Sequence, residues 1–281
     1  GTLGGDAANM ALRAVRQAVP SRSEAYVESA RPTTAVEFRR ARIALVPSIA
    51  QFEIRDGMAH NDPVAETVAA VGSTFLHALT RRDAPASLAR AEAIASGPPG
   101  SASHKLARAI AAHREAPARI VPLTDAAGTT AATALAEGRA DLALVLASPG
   151  RPDMRPALDA ESGVQLAEAA AWWRGPARLA LPFLRAARIT PDSYPTLEGP
   201  VDTLAMQFTL AGPAPPPRSA IGRQGPSSYS EELFPLTDSV VRAINANLGP
   251  HPAVDPALRR AAALRPEIRG GQRSLNPAPD Q

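Results

Sequence analysis

Between residues 91 and 147 short apolar runs alternate with stretches of helical periodicity, and turn-forming residues separate the two. Residues 91–95 read as a short strand, and Ser96-Gly97-Pro98-Pro99-Gly100 reads as a turn. A helix follows over 101–113, a strand over 119–123, and a helix over 129–137 that Gly138 stops. A second apolar strand, 141–147, ends at the break Ser148-Pro149-Gly150. Strands alternating with helices in this way predict a parallel sheet with crossover helices.

The flanking regions are less regular. Upstream, apolar spacing predicts a helix over 7–19, a short strand over 26–29 and an arginine-crowded helix over 33–42. A buried strand over 43–46 is stopped by Pro47, and 48–57 reads as a further helix with Gly57 as its stop signal. The apolar stretch 64–79, interrupted by Gly72, reads as one or two strands. Downstream, 158–173 reads as helical or irregular, 178–184 as mixed, and 201–210 as a strand. Past Ala211 the texture changes: 12 of the 29 prolines lie in the last 71 residues. One amphipathic helix is expected there over 235–248, with Leu236, Val240, Val241, Ile244 and Leu248 on one side, and a second over 256–264. Residues 270–281 read as a disordered tail. No internal repeat is present.

Composition narrows the class. At 281 residues, 45% hydrophobic and 20% charged, the chain is long enough for two domains, each with a sizeable core. Aromatics are only 4%, so alanine, leucine and valine must fill that core. The 30 basic and 27 acidic residues leave a formal charge of +3, and Lys105 is the only lysine. This balance disfavours nucleic acid as a partner, since such binders concentrate far more positive charge. The absence of cysteine excludes disulfides, thiolate metal sites and a cysteine nucleophile, without fixing a compartment. No window approaches 18 consecutive apolar residues, so no transmembrane helix is expected. No signal peptide is recognisable, and the abrupt start on a glycine loop is compatible with a targeting segment removed upstream.

Three features carry candidate chemistry. The opening loop Gly1-Thr2-Leu3-Gly4-Gly5, with Asp6 beside it, runs into a helix; backbone N–H groups there can cradle a carboxylate or phosphate. The loop with Gly97, Gly100, Ser101, Ala102 and Ser103 lies between a strand and a helix, so glycines permit close approach while a serine caps the helix. An ordinary glycine turn and an ordinary capped turn are the competing readings of these two loops. The second is not a P-loop, because Lys105 falls inside the helix and the spacing fails. Third, Ser48 and Ser148 each follow an apolar strand, at the carboxyl end where open α/β sheets bind ligands. His60, His77, His104, His113 and His251 show no metal-ligand spacing, so no metal site and no cofactor is expected. The serines show no histidine partner, and neither a G-x-S-x-G elbow nor an S-x-x-K pair occurs, which ranks an enzyme behind a binding protein.

In order along the chain these pieces resemble the TAXI-type solute receptors of tripartite TRAP transporters, within the type II periplasmic solute-binding proteins. The G-T-x-x-G-G opening, the segment ARIALVPSIAQ (41–51), the turn and helix start at 97–103, ALAEGRADLALVLASPGRP (134–152) and PFLRAARITPDSY (182–194) carry the resemblance over residues 1–210. The chain departs from the family pattern in several places. Ala7-Ala8-Asn9 stand where aromatics are usual, Ile49 replaces an acidic residue after Ser48, and His251-Pro252-Ala253 only echoes the final H-P-G-A segment.

The resemblance implies an α/β fold of two lobes, each a mainly parallel sheet flanked by helices, joined by hinge strands near 68–80 and 201–210. Lobe 1 would comprise 1–80 and 201–265, lobe 2 would comprise 81–200, and 266–281 would be a disordered tail. A small organic anion, a dicarboxylate or an amino acid such as glutamate, would be held between the lobes by Gly4, Gly5, Asp6, Ser48, Gly97, Gly100, Ser101, Ala102, Ser103 and Ser148. It implies a non-enzymatic receptor outside the inner membrane, without direct membrane insertion of this segment and without nucleic acid, that delivers solute to TRAP-type permease subunits. A LysR-type effector domain and an ABC-type nitrate- or sulfonate-like binding protein are the alternatives on the same fold.

Overall fold

The longest elements are two strands that lie side by side and carry everything else. A computed structural model of the chain describes residues 44–61 and 65–213. The helices expected over 7–19, 33–42, 235–248 and 256–264, the strand over 26–29, the C-terminal tail and the Gly1–Gly5 loop lie outside those residues.

In chain order the strands are β1 (Ala44–Pro47), β2 (Phe52–Arg55), β3 (Met58–Asn61), β4 (Ala65–Arg81) and β5 (Ala93–Ser96). They continue with β6 (Arg119–Pro122), β7 (Leu142–Ala147), β8 (Val164–Ala167), β9 (Leu184–Ile189) and β10 (Val201–Pro213). Among the described residues there are also four helices, α1 (Ala102–Ala112), α2 (Gly128–Ala136), α3 (Met154–Ala157) and α4 (Pro176–Ala180), and several short 3-10 turns. One mixed sheet has the order β1-β10-β4-β7-β5-β6, with β8 added to β4 and β9 to β10. The expected unit is present as β5-α1-β6-α2-β7, in which β5 pairs parallel to both β6 and β7. The 64–79 region is a single strand, β4, antiparallel to both β7 and β10.

Side-chain alternation in β7 divides the core. Leu142, Leu144 and Leu146 face a cluster with Leu106 and Ile110 of α1, together with Leu76, Leu204 and Met206. Ala143, Val145 and Ala147 face the other side, with Ala131, Ala134 and Leu135 of α2, Met154, Ile189 and Tyr194. A strand buried on both faces reads as a continuous apolar run rather than an alternating one, which is why 141–147 stood out. Large residues toward α1 and smaller ones toward α2 leave room on the second face for Met154 and the Tyr194 ring.

One expectation fails locally. The helix anticipated over 48–57 is instead a 3-10 turn, Ser48–Gln51, followed by the β2–β3 hairpin. Phe52 and Ile54 are half-buried while Glu53 and Arg55 are exposed, a period of two. Asp56 and Gly57 at the turn have φ of 50° and 78°, the pair of positive values that a type I′ hairpin turn requires. The hairpin docks on α1: His113 Nε2 lies 2.8 Å from the Gly57 carbonyl oxygen, and a side chain at Gly57 would meet Ala112 Cβ at 2.8 Å. Phe52 also meets Phe183 with ring centroids 5.1 Å apart.

The two-faced core makes a simple contrast. Leu144→Ala is expected to lower unfolding free energy by about 2–5 kcal/mol in chemical denaturation. Leu179→Ala, at a side chain 81% exposed, is expected to leave it within about 0.5 kcal/mol.

Candidate functional site

The parallel strands β5, β6 and β7 end together, and the loops leaving them form one edge of the sheet. Ser96 of β5 is in register with Pro122 of β6 and Leu144 of β7, so the segments 97–101, 123–127 and 148–153 emerge on the same side. In open α/β sheets, ligands lie outside this carboxyl edge.

The loop after β5 is built around hydroxyls. The Ser101 side chain caps α1 by accepting the His104 N–H at 3.2 Å, and Gly97 N–H donates to Ser103 Oγ at 3.1 Å. The two serine hydroxyls are 3.3 Å apart, and Ser101, Ala102 and Ser103 are all buried. A Cβ at Gly97 would fall 2.6 Å from Ser103 Oγ and 2.9 Å from Ser101 Oγ, which explains the glycine. Gly100 has φ of 85°, the left-handed conformation that closes the turn, and Ser101 N–H donates to Pro98 O at 3.0 Å. The first turn of α1 contains no acidic residue. Among the described residues the Ala102 and Ser103 N–H groups have no protein acceptor, and the positive end of this helix carries the Ser101 cap without a carboxylate.

The equivalent end of α2 is already filled. Gly128 N–H donates to Asp153 Oδ2 at 3.3 Å, and Ala127 N–H donates to Asp125 Oδ1 at 2.9 Å. Asp153 is held in turn by the buried Arg151, whose Nε and Nη2 both donate to its carboxylate while Nη2 also reaches Ala126 O at 3.3 Å. A bidentate guanidinium–carboxylate pair of this kind is among the stronger and more directional polar contacts. Gly128 is required here, because a Cβ would lie 2.5 Å from Met154 Sδ.

Ser48 and Ser148 fall on either side of these loops. Ser48 opens the 3-10 turn that packs against α1, and Ile49 beside it shares a core with Ala102 and Leu106. Its hydroxyl is shut off from solvent and has no hydrogen-bond partner among the described residues. Ser148 is buried at the exit of β7, where its carbonyl accepts the Arg151 N–H at 3.2 Å. The structure thus gathers Gly97, Gly100, Ser101, Ala102 and Ser103 at the start of α1, places Ser148 on the same sheet edge, and packs the turn that begins at Ser48 against α1. Gly4, Gly5 and Asp6 lie outside the described residues.

Sequence reasoning missed several polar groups here. Ser96 Oγ lies 3.1 Å from His104 Nδ1, so the expectation that the serines lack a histidine partner is corrected. Burial, and then the nearby Arg108, hold the His104 pKa below the ordinary histidine value. Among the described residues no group of three or more His, Cys, Asp or Glu residues is arranged to hold a metal ion. Arg151 and Asp153 went unremarked because their partners stand 25 positions away. His77 was noted only as one of five histidines, yet it is fully buried on β4 with Nδ1 3.2 Å from Phe75 O. Its Nε2 lies 2.8 Å from the Tyr194 hydroxyl, and the two rings meet edge to face at 5.6 Å.

Burial pushes the His77 pKa down from 6.5 to about 4, opposed by its hydrogen bond to the Phe75 carbonyl. Burial likewise raises the Tyr194 phenol well above its usual range. The sign for stability follows. The unfolded chain takes up a proton at this histidine below pH 6.5 while the native chain resists until about pH 4, so stability is lost as pH falls between those values. The loss amounts to roughly 3 kcal/mol across the window. Denaturation of the parent and of His77→Gln at pH 7 and pH 4.5 is expected to show a smaller pH-dependent loss in the variant.

No family model matches the chain, and no curated protein matches it. Among solved structures, an ancestral arginine-binding protein bound to arginine superposes with a TM-score of 0.50 at 10% identity, covering 86% of each chain. An amino acid ABC transporter substrate-binding protein from Streptococcus pneumoniae bound to L-arginine gives a TM-score of 0.47 at 12% identity, over 92% of this chain and 83% of that one. A histidine kinase sensor domain with similarity to periplasmic binding proteins gives 0.48 at 15% identity, over 86% of each. These identities speak to fold alone. The chain has the mixed α/β, two-lobed architecture of the type II periplasmic-binding-protein class.

Proposed function

We propose that this chain is an extracytoplasmic solute-binding receptor that captures a small organic anion, a dicarboxylate or an amino acid such as glutamate, and presents it to the permease of a TRAP-type transporter. The reading is supported above all by the contrast between two helix starts on one sheet edge. The α2 end holds the protein's own Asp153 carboxylate, whereas the α1 end presents N–H groups, buried serine hydroxyls and no acidic residue. An external carboxylate at α1 would take the place that Asp153 takes at α2. In this reading lobe 2 comprises 81–200, lobe 1 is built from 1–80 and 201–265, and lobe 1 contributes Gly4, Gly5, Asp6 and Ser48 to the site. Capture follows from closure, because a ligand touching both lobes stabilises the closed state.

The solute class, the transporter type and the extracytoplasmic location rest on the resemblance to TAXI receptors together with the two-lobed fold. Solved structures of that fold include proteins described as binding arginine for ABC transporters, and this chain is read as using the same architecture without catalysis. Among the described residues no helix is long and apolar enough to cross a membrane. A Ser–His pair alone makes a poor hydrolase: His104 presents Nδ1 to Ser96, and among the described residues no carboxylate is hydrogen-bonded to its ring.

Thermal unfolding against L-glutamate, 2-oxoglutarate, succinate, L-glutamine and L-arginine tests the reading. One acid is expected to stabilise the full chain saturably, by about 2.7 kcal/mol at a concentration 100 times its Kd. Ser101→Asp keeps a good helix cap and adds negative charge at the positive helix end, so the melting temperature of the free protein should hold or rise. The same change should weaken binding of the acid tenfold or more. A flat response across the panel overturns the proposal, and so does a ligand whose affinity Ser101→Asp leaves unchanged.

A further inference from the structure

We infer that residues 48–61 form a strap along α1 that gates the candidate site, lifting from the helix to admit a solute and closing again as its hairpin turn docks on His113. The inference concerns access to the proposed solute site and rests on the receptor reading for what passes the gate.

The groups that would meet a solute carboxylate are closed off in this structure: Ser101, Ala102 and Ser103 at the start of α1 are all buried. A solute reaches them only when something packed against α1 moves. Strands β5 and β7 are poorly suited to that, because they are paired with each other and buried along their length. The segment 48–61 differs in kind. Among the described residues, β2 and β3 pair with each other and with no strand of the main sheet.

This segment follows the helix from end to end. Ile49, in the 3-10 turn, shares a core with Ala102 and Leu106 of the first turns of α1. Gly57, at the hairpin tip, reaches the other end of the helix, where His113 Nε2 donates to its carbonyl oxygen at 2.8 Å. Ala102, Leu106, Ala109 and His113 recur at helical spacing and so lie on one stripe of α1, the stripe that the strap tracks. Between the two ends Ile54 packs against the same core, and Phe52 meets Phe183 with ring centroids 5.1 Å apart. Gly57 docks through its backbone alone, since a Cβ there would lie 2.8 Å from Ala112 Cβ.

The docked arrangement also carries a cost at its root. Ser48 Oγ, where the segment leaves β1, is shut off from solvent and has no hydrogen-bond partner. Trp173 Nε1, on a ring packed against the same core, is likewise buried and unpartnered. Buried polar groups left without partners favour any arrangement that hydrates them. Closure is therefore held by the Phe52, Ile54 and Gly57 contacts against a standing bias to open.

Because the chain has no cysteine, thiol labelling tests the strap directly on the full-length protein. Ala109→Cys places a thiol on the stripe beneath the strap, and Ala143→Cys places one on the α2 side of β7; both native side chains are fully buried. With an aromatic disulfide reagent in native buffer, the thiol of Ala109→Cys is expected to react at least about tenfold faster than that of Ala143→Cys, which requires a larger opening. Adding His113→Ala should speed the first at least about tenfold more and leave the second unchanged. In the cysteine-free chain, NMR cross-peaks between the Phe52 and Phe183 rings should weaken on His113→Ala, a readout independent of how either thiol variant folds. Equal labelling rates at the two positions, or a His113→Ala change absent from both readouts, overturn the inference. Whichever of L-glutamate, 2-oxoglutarate and succinate stabilises the protein should associate faster with His113→Ala, and an unchanged association rate overturns the gate. If labelling follows the expected pattern but no compound in the solute panel binds, the strap stands and the receptor reading falls.

Discussion

The pairing of β4 with β10 is the constraint on which the described structure depends. Both strands are far longer than the others, and together they seat β1, β7, β8 and β9. Their ladder is antiparallel, so the chain leaves the region of the parallel strands by the same ribbon along which it entered. Where the two strands diverge, beyond their last paired residues, the buried Thr203 hydroxyl donates to the Leu76 carbonyl. Gln51 and Thr209 make a comparable contact, and Thr209 also bonds to Val46 O at 3.2 Å, which fastens β1 and its following turn to β10. These contacts set where Ser48 stands relative to α1.

The sheet edge itself illustrates how two chemically similar helix starts are given different fates. Both α1 and α2 follow parallel strands and both begin on the same side. At α2 a loop of the protein returns with an aspartate, and an arginine two residues earlier restrains that carboxylate. At α1 the groups at the helix start are neutral serines that bond to one another and to the backbone, with no carboxylate among them. The difference lies in a few side chains and not in the backbone path.

The β5-α1-β6-α2-β7 unit is legible in the sequence to within a residue or two, because its two helices are long enough for their period to show and its short apolar strands stand between them and the turns. The hairpin at 52–61 was misread for the opposite reason. Its alternation lasts four residues per strand, and Gly57 reads as a helix stop although Asp56-Gly57 together form the strongest short hairpin signal. The loop residues of the candidate site were legible as glycines and serines at a strand end. Their partners were not: His104 pairs with a serine eight positions away only because the turn folds back, and His77 meets Tyr194 across 117 positions. Contacts at that separation depend on topology, which local pattern does not encode.

One detail of the central ribbon has a mechanical meaning. Phe208 stands opposite Gly72 and Thr209 opposite Ala70, while Leu210 stands opposite Ala69 and Ala211 opposite Thr67. Val71 and Val68 are therefore each skipped by the partner strand, and β4 carries two more residues than β10 along the same stretch. An extra residue on one side of an antiparallel pair bends and twists it locally. Two such insertions close together act like a pleat sewn into one edge of a strap, so the local bend and twist of the ribbon are written into mismatched strand lengths.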